Sequence, residues 1–331
     1  MPSTIVFVSS GDPSGDVAAA RLLTALSSLI PTLDVFGLGG EQLRQFGQRQ
    51  LAEGSDLAVL GFYEVARRYP FFRRLLTRCV DEIRHRRPAA VILVDYPGFN
   101  LRLAARVKFL GIPVIYYIAP QVWAWGARRV NDIKRDIDLM LVILPFEEQF
   151  FRKHGVTAHF VGHYLLDEIS REYVSSPIPA RGNLCLLPGS RPQEIMRMLP
   201  TMLASAQQHN RAYGTKATIA AIKGRFDYES CVRRHAYKDI QVSYEDSRRI
   251  IHESALVLAA SGTATLETAI IGRPMIVIYK TGFITYHIAR RLVRLDNIAL
   301  ANLVLGEKVV PELIQSQAYP ERILSELSKF H

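Results

Sequence analysis

The sequence predicts an α/β protein with two Rossmann-like, doubly wound domains that face a cleft. Short apolar runs alternate with amphipathic segments along the 331 residues, which is typical of repeated βαβ units. The alternation stops over residues 167–182, where prolines interrupt it, and it starts again at Asn183. Several apolar runs end at a small or charged residue, as strands do at the ligand-binding edge of such sheets.

These patterns divide the chain into an N-terminal domain (1–166), a linker (167–182) and a C-terminal domain (183–331). In the first domain we predict strands at 4–8, 33–36, 89–94, 114–118, 139–144 and 158–161. Helices are expected at 17–29, 99–110, 130–135 and 146–154, with a basic helix before residue 89. In the second domain the predicted strands are 183–187, 217–222, 240–244, 256–260 and 275–279. Its helices are expected at 193–208, at 225–235, through Arg248 and Arg249, and at 263–271.

The composition indicates a globular protein with an anionic partner. Hydrophobic residues make up 49% of the chain and charged residues 22%, as in folded domains. The formal net charge of +10 favours nucleic acid, anionic lipid or a phosphorylated substrate as a partner. The three cysteines have neither metal-ligand nor redox spacing, so we expect a reducing compartment. We also expect neither a signal peptide nor a membrane-spanning segment.

Much of the positive charge lies in residues 62–87, where arginines are interleaved with bulky apolar side chains. The arginines are Arg67, Arg68, Arg73, Arg74, Arg78, Arg84, Arg86 and Arg87, and the apolar residues are Phe62, Tyr63, Tyr69, Phe71, Phe72, Leu75 and Leu76. This mixture fits a helix that lies on an anionic membrane surface. It fits equally well a surface helix with a solvated basic face and an ordinary core-facing side, and the sequence leaves both interpretations open.

The first candidate for a catalytic base is Asp95. The apolar run from Ala89 to Val94 stops abruptly at this carboxylate, and Pro97 and Gly98 then turn the chain into a helix. The carboxyl end of a parallel strand lies at the edge where open α/β sheets bind ligands. An ionisable group at that edge is well placed for general base catalysis.

Other strand ends of the first domain carry further candidates. Residues 9–16 form a turn of small residues before a helix, where backbone N–H groups can approach a ligand. Its aspartates suit hydroxyl groups better than pyrophosphate, although a simple helix cap explains the turn equally well. The loop 119–125 holds both tryptophans, which suit a sugar or acyl site or a packed hinge. His163 follows another strand end, where a histidine is more often structural than catalytic.

Two strand-to-helix turns of the second domain suit an anion. The first comprises Gly189, Ser190 and Arg191, and the second comprises Ser261, Gly262, Thr263 and Glu267. In each turn a glycine permits close approach and the helix N-terminus favours negative charge. Arg191 can donate two hydrogen bonds to a phosphate, and Glu267 can accept two hydroxyls of a ribose. Ordinary helix capping explains either turn alone, but two in one domain favour a nucleotide diphosphate.

Several reaction classes lack their sequence signatures. There is no HExxH, no CxxC pair and no carboxylate triad for a metal, no GxSxG for an acyl hydrolase and no Walker A motif for an NTPase. We therefore expect neither a metal nor a cofactor.

Taken together, these sequence blocks resemble the lipid-A-disaccharide synthases, a family of inverting glycosyltransferases with the GT-B fold. The matching blocks are GDPSGD (11–16), LAVLGFYEV (57–65), VDYPGFN (94–100), IAPQVWAWGARRV (118–130), LPFE (144–147), FVGH (160–163), LLPGSR (186–191), LAASGTATLE (258–267) and ANLVLGEKVVPELIQ (301–315). They occur in order over nearly the whole chain.

The resemblance implies a metal-independent hexosyltransferase that uses a UDP-sugar as substrate. It would join UDP-2,3-diacylglucosamine to 2,3-diacylglucosamine 1-phosphate (lipid X), giving the β-1,6-linked lipid A disaccharide 1-phosphate and UDP. By position, Asp95 resembles the family's essential aspartate and Arg191 the arginine beside the donor phosphates. The resemblance and the strand-end patterns together predict substrate or nucleotide contacts at Gly11, Ser14, Gly15, Asp16, Asn100, Gln121, Trp123, His163, Gly189, Ser190, Ser261, Gly262, Thr263, Glu267, Asn302 and Gln315. Membrane contacts are expected at Phe62, Tyr69, Phe71, Phe72, Arg73, Arg74 and Leu75.

The resemblance also implies a cytoplasmic protein that associates peripherally with the inner membrane, and it leaves a homodimer open. The chain departs from the family at Asp12, where a glutamate is usual, and at Ala301, where a proline is usual. It ends at His331, so we expect part of the usual C-terminal helical segment to be lacking. The alternatives are a truncated or inactive UDP-sugar-binding protein at the membrane and another UDP-sugar transferase or epimerase on the same fold. Nucleic acid is not expected as a partner, because no recognised binding motif accompanies the basic segment.

Overall fold

A computed structural model of the chain describes residues 3–52, 69–124, 129–179, 182–234, 237–282 and 297–331. The chain forms two compact units, Met1–Tyr164 and Leu165–His331. Each unit is built on a parallel β-sheet with helices in the connections between its strands. The predicted fold class of two doubly wound α/β domains is confirmed.

The first unit has a seven-stranded sheet in the order β3-β2-β1-β4-β5-β6-β7. Its strands are β1 (Thr4–Ser10), β2 (Leu33–Leu38), β3 (Arg49–Gln50), β4 (Ala90–Val94), β5 (Val114–Tyr117), β6 (Leu139–Val142) and β7 (Ala158–Phe160). Its helices are α1 (Pro13–Leu29), α2 (Glu41–Phe46), α3 (Tyr69–Arg86), α4 (Pro97–Val107), α5 (Val130–Asp136) and α6 (Pro145–Lys153). The strand order reverses between β1 and β4, which pair in parallel with Ser10 opposite Val94. The turns that follow these two strands therefore lie side by side at a topological switch point, where such sheets bind ligands.

The second unit has a six-stranded sheet in the order β10-β9-β8-β11-β12-β13. Its strands are β8 (Asn183–Leu187), β9 (Ala217–Ala220), β10 (Ile240–Ser243), β11 (Ser254–Ala260), β12 (Met275–Tyr279) and β13 (Glu312–Ile314). Its helices are α7 (Leu165–Glu168), α8 (Arg171–Ser175), α9 (Pro192–Tyr213), α10 (Tyr228–Arg234), α11 (Ser247–His252), α12 (Thr263–Ile271), α13 (Leu300–Leu305) and α14 (Pro320–Leu327). Here the order reverses between β8 and β11, where Leu187 pairs with Ala259.

The central strands contain continuous apolar runs because helices cover both faces of each sheet. In the first unit, Phe7 and Leu93 are fully buried on one face, and Val8 and Val94 on the other. Burial of a side chain of this size contributes about 1.5–3 kcal/mol. These strands therefore hold their carboxyl ends, and the turns that follow, in a fixed position.

Several boundaries differ from the prediction. Helix α1 begins at Pro13, four residues before the predicted start, because a proline suits the first helical position. Helix α4 likewise begins at Pro97. Residues 165–175, most of which we expected in the linker, contain the two short helices α7 and α8. Over the described ranges, no helix is long and apolar enough to cross a bilayer.

The basic helix α3 has an outward face and a core face. Tyr69, Arg73 and Arg74 are exposed, whereas Leu75 is only 5% exposed and belongs to the core of the first unit. The expectation that Leu75 contacts the membrane is therefore wrong, because this side of the helix packs on the sheet. Of the other aromatic residues expected to contact the membrane, Phe71 and Phe72 are half-buried against the core, and Phe62 lies outside the described residues.

Candidate active site

Asp95 follows β4 in a strained turn. The backbone φ angle is 46° at Asp95 and 52° at Tyr96. Two adjacent residues other than glycine thus occupy the left-handed region, at a cost on the order of 1–3 kcal/mol each. Such strain persists only where the surrounding structure holds it, and it is concentrated at functional sites. Its position at the switch point marks this turn as a candidate active site.

Two buried donors hold the backbone carbonyl of Asp95. The Tyr116 hydroxyl donates to it at 2.6 Å and the Asn100 amide nitrogen at 2.7 Å. The same Asn100 nitrogen reaches the carbonyls of Ser9 and Val94 at 3.3 and 3.2 Å, and its Oδ1 accepts from Ser9 Oγ at 2.7 Å. Asn100 is fully buried. It therefore positions the turn, and the substrate contact expected from the sequence stays a prediction.

The environment of the Asp95 carboxyl suits a general base. Burial raises its pKa from 3.8 to about 6, and the negative charge of Asp12 adds to this effect, whereas a hydrogen bond from the Tyr96 backbone opposes it. A general base is most effective when its pKa lies close to the working pH, because it is then largely ionised and still basic enough to accept a proton. Asp95 combines these properties with a fixed backbone.

Gly11 and Gly15 let the turn after β1 approach the turn after β4. A Cβ atom on Gly11 would lie 2.4 Å from the Tyr96 ring. A Cβ atom on Gly15 would lie 2.7 Å from Ser10 Oγ and 3.8 Å from the Asp95 Cβ. Both positions therefore exclude a larger residue, and the structure brings them together with Asp95.

The other two candidates of this turn differ in exposure. Ser14 is exposed in the first turn of α1. Asp16 is buried, and its carboxylate accepts backbone N–H groups of Gly40, Gln42 and Leu43 at 2.7, 2.8 and 3.3 Å. These bonds satisfy the start of α2. Asp16 therefore joins two helices, and its expected substrate contact stays a prediction.

The loop after β5 is fixed by a buried carboxyl group. The Trp123 indole donates to Glu147 Oε1 at 2.9 Å and packs edge-on against Phe146, with ring centroids 4.9 Å apart. Glu147 Oε2 accepts the Leu144 N–H at 3.1 Å, and burial raises the pKa of this carboxyl to about 7. Gln121 is exposed on the same loop. No local sequence pattern indicates this role for Glu147, because its partner Trp123 lies 24 residues away.

His163 lies apart from Asp95. It follows β7, three strands from β4 in the sheet, which is about 14 Å at the usual strand spacing. Its ring packs against that of Tyr164, with centroids 4.7 Å apart. The structure therefore does not bring His163 into the turn that holds the candidate base.

The strand-end turns of the second unit line a cavity of about 580 Å³. The expected residues on its wall are Gly189, Ser190, Arg191, Ser261, Gly262, Thr263 and Glu267. Lys223 also lines it and was not foreseen. Because β8 and β11 are neighbours, the starts of α9 and α12 meet here and bring the positive ends of two helix dipoles to one region. Two helix N-termini and two cations make this cavity suited to a diphosphate.

Arg191 is free to meet a ligand in this cavity. Its side chain is 69% exposed, and its guanidinium pairs with Glu194 at 2.9 Å, one turn along the same helix. An exposed ion pair of this kind contributes at most about 1 kcal/mol. The guanidinium can therefore move from Glu194 to a phosphate at small cost.

Glu267 is held from behind by Arg248, which does not line the cavity. The Arg248 Nε–H donates to Glu267 Oε1 at 3.0 Å, and its Nη2 forms an ion pair with Glu168. Burial raises the pKa of Glu267, and the charge of Arg248 opposes this rise. The guanidinium thus favours the ionised form of a carboxyl group on the cavity wall.

A family sequence model described as lipid-A-disaccharide synthetase matches residues 6–330. The chain belongs to the lipid-A-disaccharide synthetase family. Among curated relatives named lipid-A-disaccharide synthase, that of Anaeromyxobacter dehalogenans strain 2CP-C is 39% identical over 98% of this chain and 87% of its own length. That of Myxococcus xanthus is 36% identical, with the same coverage of both chains.

The fold of this lipid-A-disaccharide synthetase family member also occurs in solved structures of other enzymes. The UDP-GlcNAc 2-epimerase of Methanocaldococcus jannaschii, in complex with UDP-GlcNAc and UDP, superposes with a TM-score of 0.60. The match covers 98% of this chain and 92% of the epimerase, at 10% sequence identity. This likeness supports the GT-B fold, whereas the family assignment rests on the sequence matches.

Asn302 and Gln315, which the family resemblance placed near the nucleotide, both bond backbone groups. Asn302 is fully buried, and its Oδ1 accepts the N–H groups of Val309 and Val310, both at 2.9 Å. Both polar atoms of the Gln315 amide bond the backbone of Thr281, at 3.0 and 3.1 Å. Neither residue lines the cavity. Both side chains therefore support neighbouring loops, and their expected nucleotide contacts stay a prediction.

Proposed function

We propose that this chain is a hexosyltransferase that forms the lipid A disaccharide. It transfers diacylglucosamine from UDP-2,3-diacylglucosamine to the 6-hydroxyl of lipid X, giving the β-1,6-linked disaccharide 1-phosphate and UDP. The observation that carries this proposal is the strained, half-buried Asp95 turn in a chain of this family. The cavity of the second unit supports it with groups suited to a nucleotide diphosphate.

The transfer step is a direct displacement with inversion. The acceptor's 6-oxygen attacks the anomeric carbon of the donor while the bond from that carbon to the phosphate oxygen breaks. The Asp95 carboxylate takes the proton of the attacking hydroxyl as general base. The transition state has oxocarbenium character, as in glycoside hydrolysis.

The leaving UDP gains negative charge as the bond breaks. Arg191 and Lys223 supply positive side chains, and the N-termini of α9 and α12 supply backbone donors. Groups already aimed at the developing charge lower the barrier because they need no reorganisation during the step. Glu267 accepts the hydroxyls of the ribose and so orients the nucleotide.

The acylated substrates require access from a lipid surface, and we infer that α3 provides it at the inner membrane. Its exposed Tyr69, Arg73 and Arg74 combine an aromatic ring with two cations, as in helices that bind anionic interfaces. Replacing Arg73 and Arg74 by Gln should weaken flotation with anionic liposomes. The matched control replaces Arg102 and Arg106, two exposed arginines of α4. Equal loss in both double variants would show that only net charge matters.

Product analysis tests the proposed reaction against its alternatives. The purified chain is incubated with the diacylated UDP-sugar, with and without lipid X, and the products are identified by mass spectrometry. We expect UDP and disaccharide 1-phosphate in equal amounts, and only when both substrates are present. UDP binding without product would support a nucleotide-sugar-binding protein, and a C2 epimer of the donor sugar would support an epimerase. Either result would overturn the proposal.

A further inference from the structure

Arg248 has no role in the reaction as described above, yet it contacts a residue of the donor cavity. We propose that Arg248 is a positioning residue that fixes Glu267 for the ribose hydroxyls and thereby makes the cavity select a ribonucleotide over a 2′-deoxyribonucleotide. This inference rests on the proposed function, in which Glu267 accepts those hydroxyls.

The guanidinium of Arg248 bridges two carboxylates. Its Nε–H donates to Glu267 Oε1 at 3.0 Å, and its Nη groups pair with the Glu168 carboxylate and approach the Glu168 carbonyl at 3.4 Å. The three side chains are largely shielded, with exposures of 21% for Arg248, 11% for Glu168 and 16% for Glu267. Ion pairs that are shielded in this way are screened less by salt than exposed pairs. The bridge therefore restrains Glu267 more firmly than a surface contact would.

The backbone of Arg248 is fixed as well. Its N–H donates to the side chain of Asp246 at 3.0 Å, which caps α11. The Arg248 side chain is thus fixed at both ends, at its backbone by Asp246 and at its guanidinium by Glu168. Because an arginine presents its donors in a rigid planar fork, one side chain can span both carboxylates. A lysine offers a single point charge and cannot span them in this way.

This arrangement leaves the second oxygen of Glu267 available. Arg248 occupies Oε1, and no hydrogen bond to Oε2 is found within the part of the chain that the structure describes. Glu267 lines the cavity, whereas Arg248 and Glu168 are not among its lining residues. A carboxylate can accept two hydroxyl donors at once, and a vicinal diol matches this geometry. The 2′-hydroxyl therefore donates to the Glu267 carboxylate, whose orientation Arg248 fixes.

Removing Arg248 should disturb Glu267 in a specific way. The carboxylates of Glu168 and Glu267 would then face each other without the cation between them, and like charges repel. Glu267 would turn away or take up a proton, and the cavity would lose its acceptor for the 2′-hydroxyl. Contacts with the diphosphate do not depend on this residue, so affinity for a deoxynucleotide should change little.

Equilibrium binding of UDP and 2′-deoxy-UDP to the full chain tests this inference by isothermal titration calorimetry. We expect the unmodified protein to prefer UDP by about tenfold or more, because a lost hydrogen bond to a charged acceptor is costly. In Arg248→Met the preference should fall to about twofold or less, with the affinity for 2′-deoxy-UDP changed by less than about threefold. Arg249→Met is the matched control, because this exposed neighbour pairs only with Glu245 and Glu253 among the described acidic residues; it should keep the full preference.

The outcomes separate this inference from the proposed function. If Glu267→Gln abolishes the preference and Arg248→Met retains it, Arg248 has no positioning role while Glu267 keeps its own. If the unmodified protein and Glu267→Gln bind both nucleotides equally, the assignment of Glu267 to the ribose fails. Should Arg248→Met not fold, as judged by circular dichroism, Arg248→Lys takes its place. A lysine should reduce the preference at least about threefold, and an unchanged preference in that variant would overturn the inference.

Discussion

The rate of disaccharide formation should decline at acid pH with an apparent pKa near 6. Asp95 must be ionised to accept the proton of the attacking hydroxyl, and burial together with the charge of Asp12 raises its pKa from 3.8 to about 6. Protonation on the acid side removes the base, so activity is present above this pKa and is lost as the pH falls through it.

The size of the effect follows from the ionised fraction. With a pKa of about 6, the carboxyl is about 99% ionised at pH 8 and about 9% ionised at pH 5, so kcat/KM should drop about tenfold between them. An aspartate with its ordinary pKa would remain more than about 90% ionised at pH 5. The two cases therefore differ by nearly the whole tenfold change.

The assay measures UDP release from the diacylated donor in the presence of lipid X between pH 5 and 8. A substrate phosphomonoester also titrates near pH 6, so a second variant is needed to assign the pKa. Asp12→Asn removes one of the two causes of the shift and should move the acid limb to lower pH. Asp34→Asn, an exposed aspartate of β2, should not move it. An acid limb that lies below pH 5 in the unmodified protein, or one that Asp12→Asn leaves in place, would refute the reasoning.

Further predictions concern the residues that support these sites. Tyr116→Phe removes one of the two donors to the Asp95 carbonyl, so it should cost about 1 kcal/mol of unfolding free energy and lower kcat with little change in KM. An unchanged kcat would show that the turn does not need this hydroxyl. Glu147→Ala leaves the Trp123 indole and a backbone N–H without their acceptor, so the free energy of unfolding in denaturant should fall by about 2–4 kcal/mol and tryptophan emission should shift. A smaller fall for Glu147→Ala than for Glu147→Gln would contradict this. Asn302→Ala should reduce the free energy of unfolding by about 3 kcal/mol or more without a matching loss of UDP affinity. A stable variant that fails to bind UDP would instead support a direct contact between Asn302 and the nucleotide.

The sequence predicts the central strands well because both faces of each sheet are covered. Val6, Phe7 and Val8 of β1 are buried together, so the strand is a continuous apolar run. The short edge strands β3 and β13 are not predicted, since Arg49–Gln50 and Glu312–Ile314 are too short to show a period. Only their pairing with a neighbouring strand makes them strands.

The candidate site is predictable where the chain itself marks the position. Asp95 ends an apolar run, and Ser190 and Thr263 stand at helix starts after strands, so topology alone brings them to a sheet edge. The roles of Asn100 and Asn302 were not predictable, because a polar side chain looks the same whether it binds a ligand or a buried backbone group. Long-range partners decide between these roles, and no local pattern records them.

The most direct test of Asp95 as the base is the turnover of Asp95→Asn. Asparagine keeps the size and shape of the side chain but cannot accept the proton. UDP release in the presence of lipid X should fall by about 10²–10⁴-fold, while the affinity for UDP stays within about threefold because the donor cavity is intact. Turnover within about tenfold of the unmodified protein would contradict the assignment of Asp95 as the base of the glycosyl transfer.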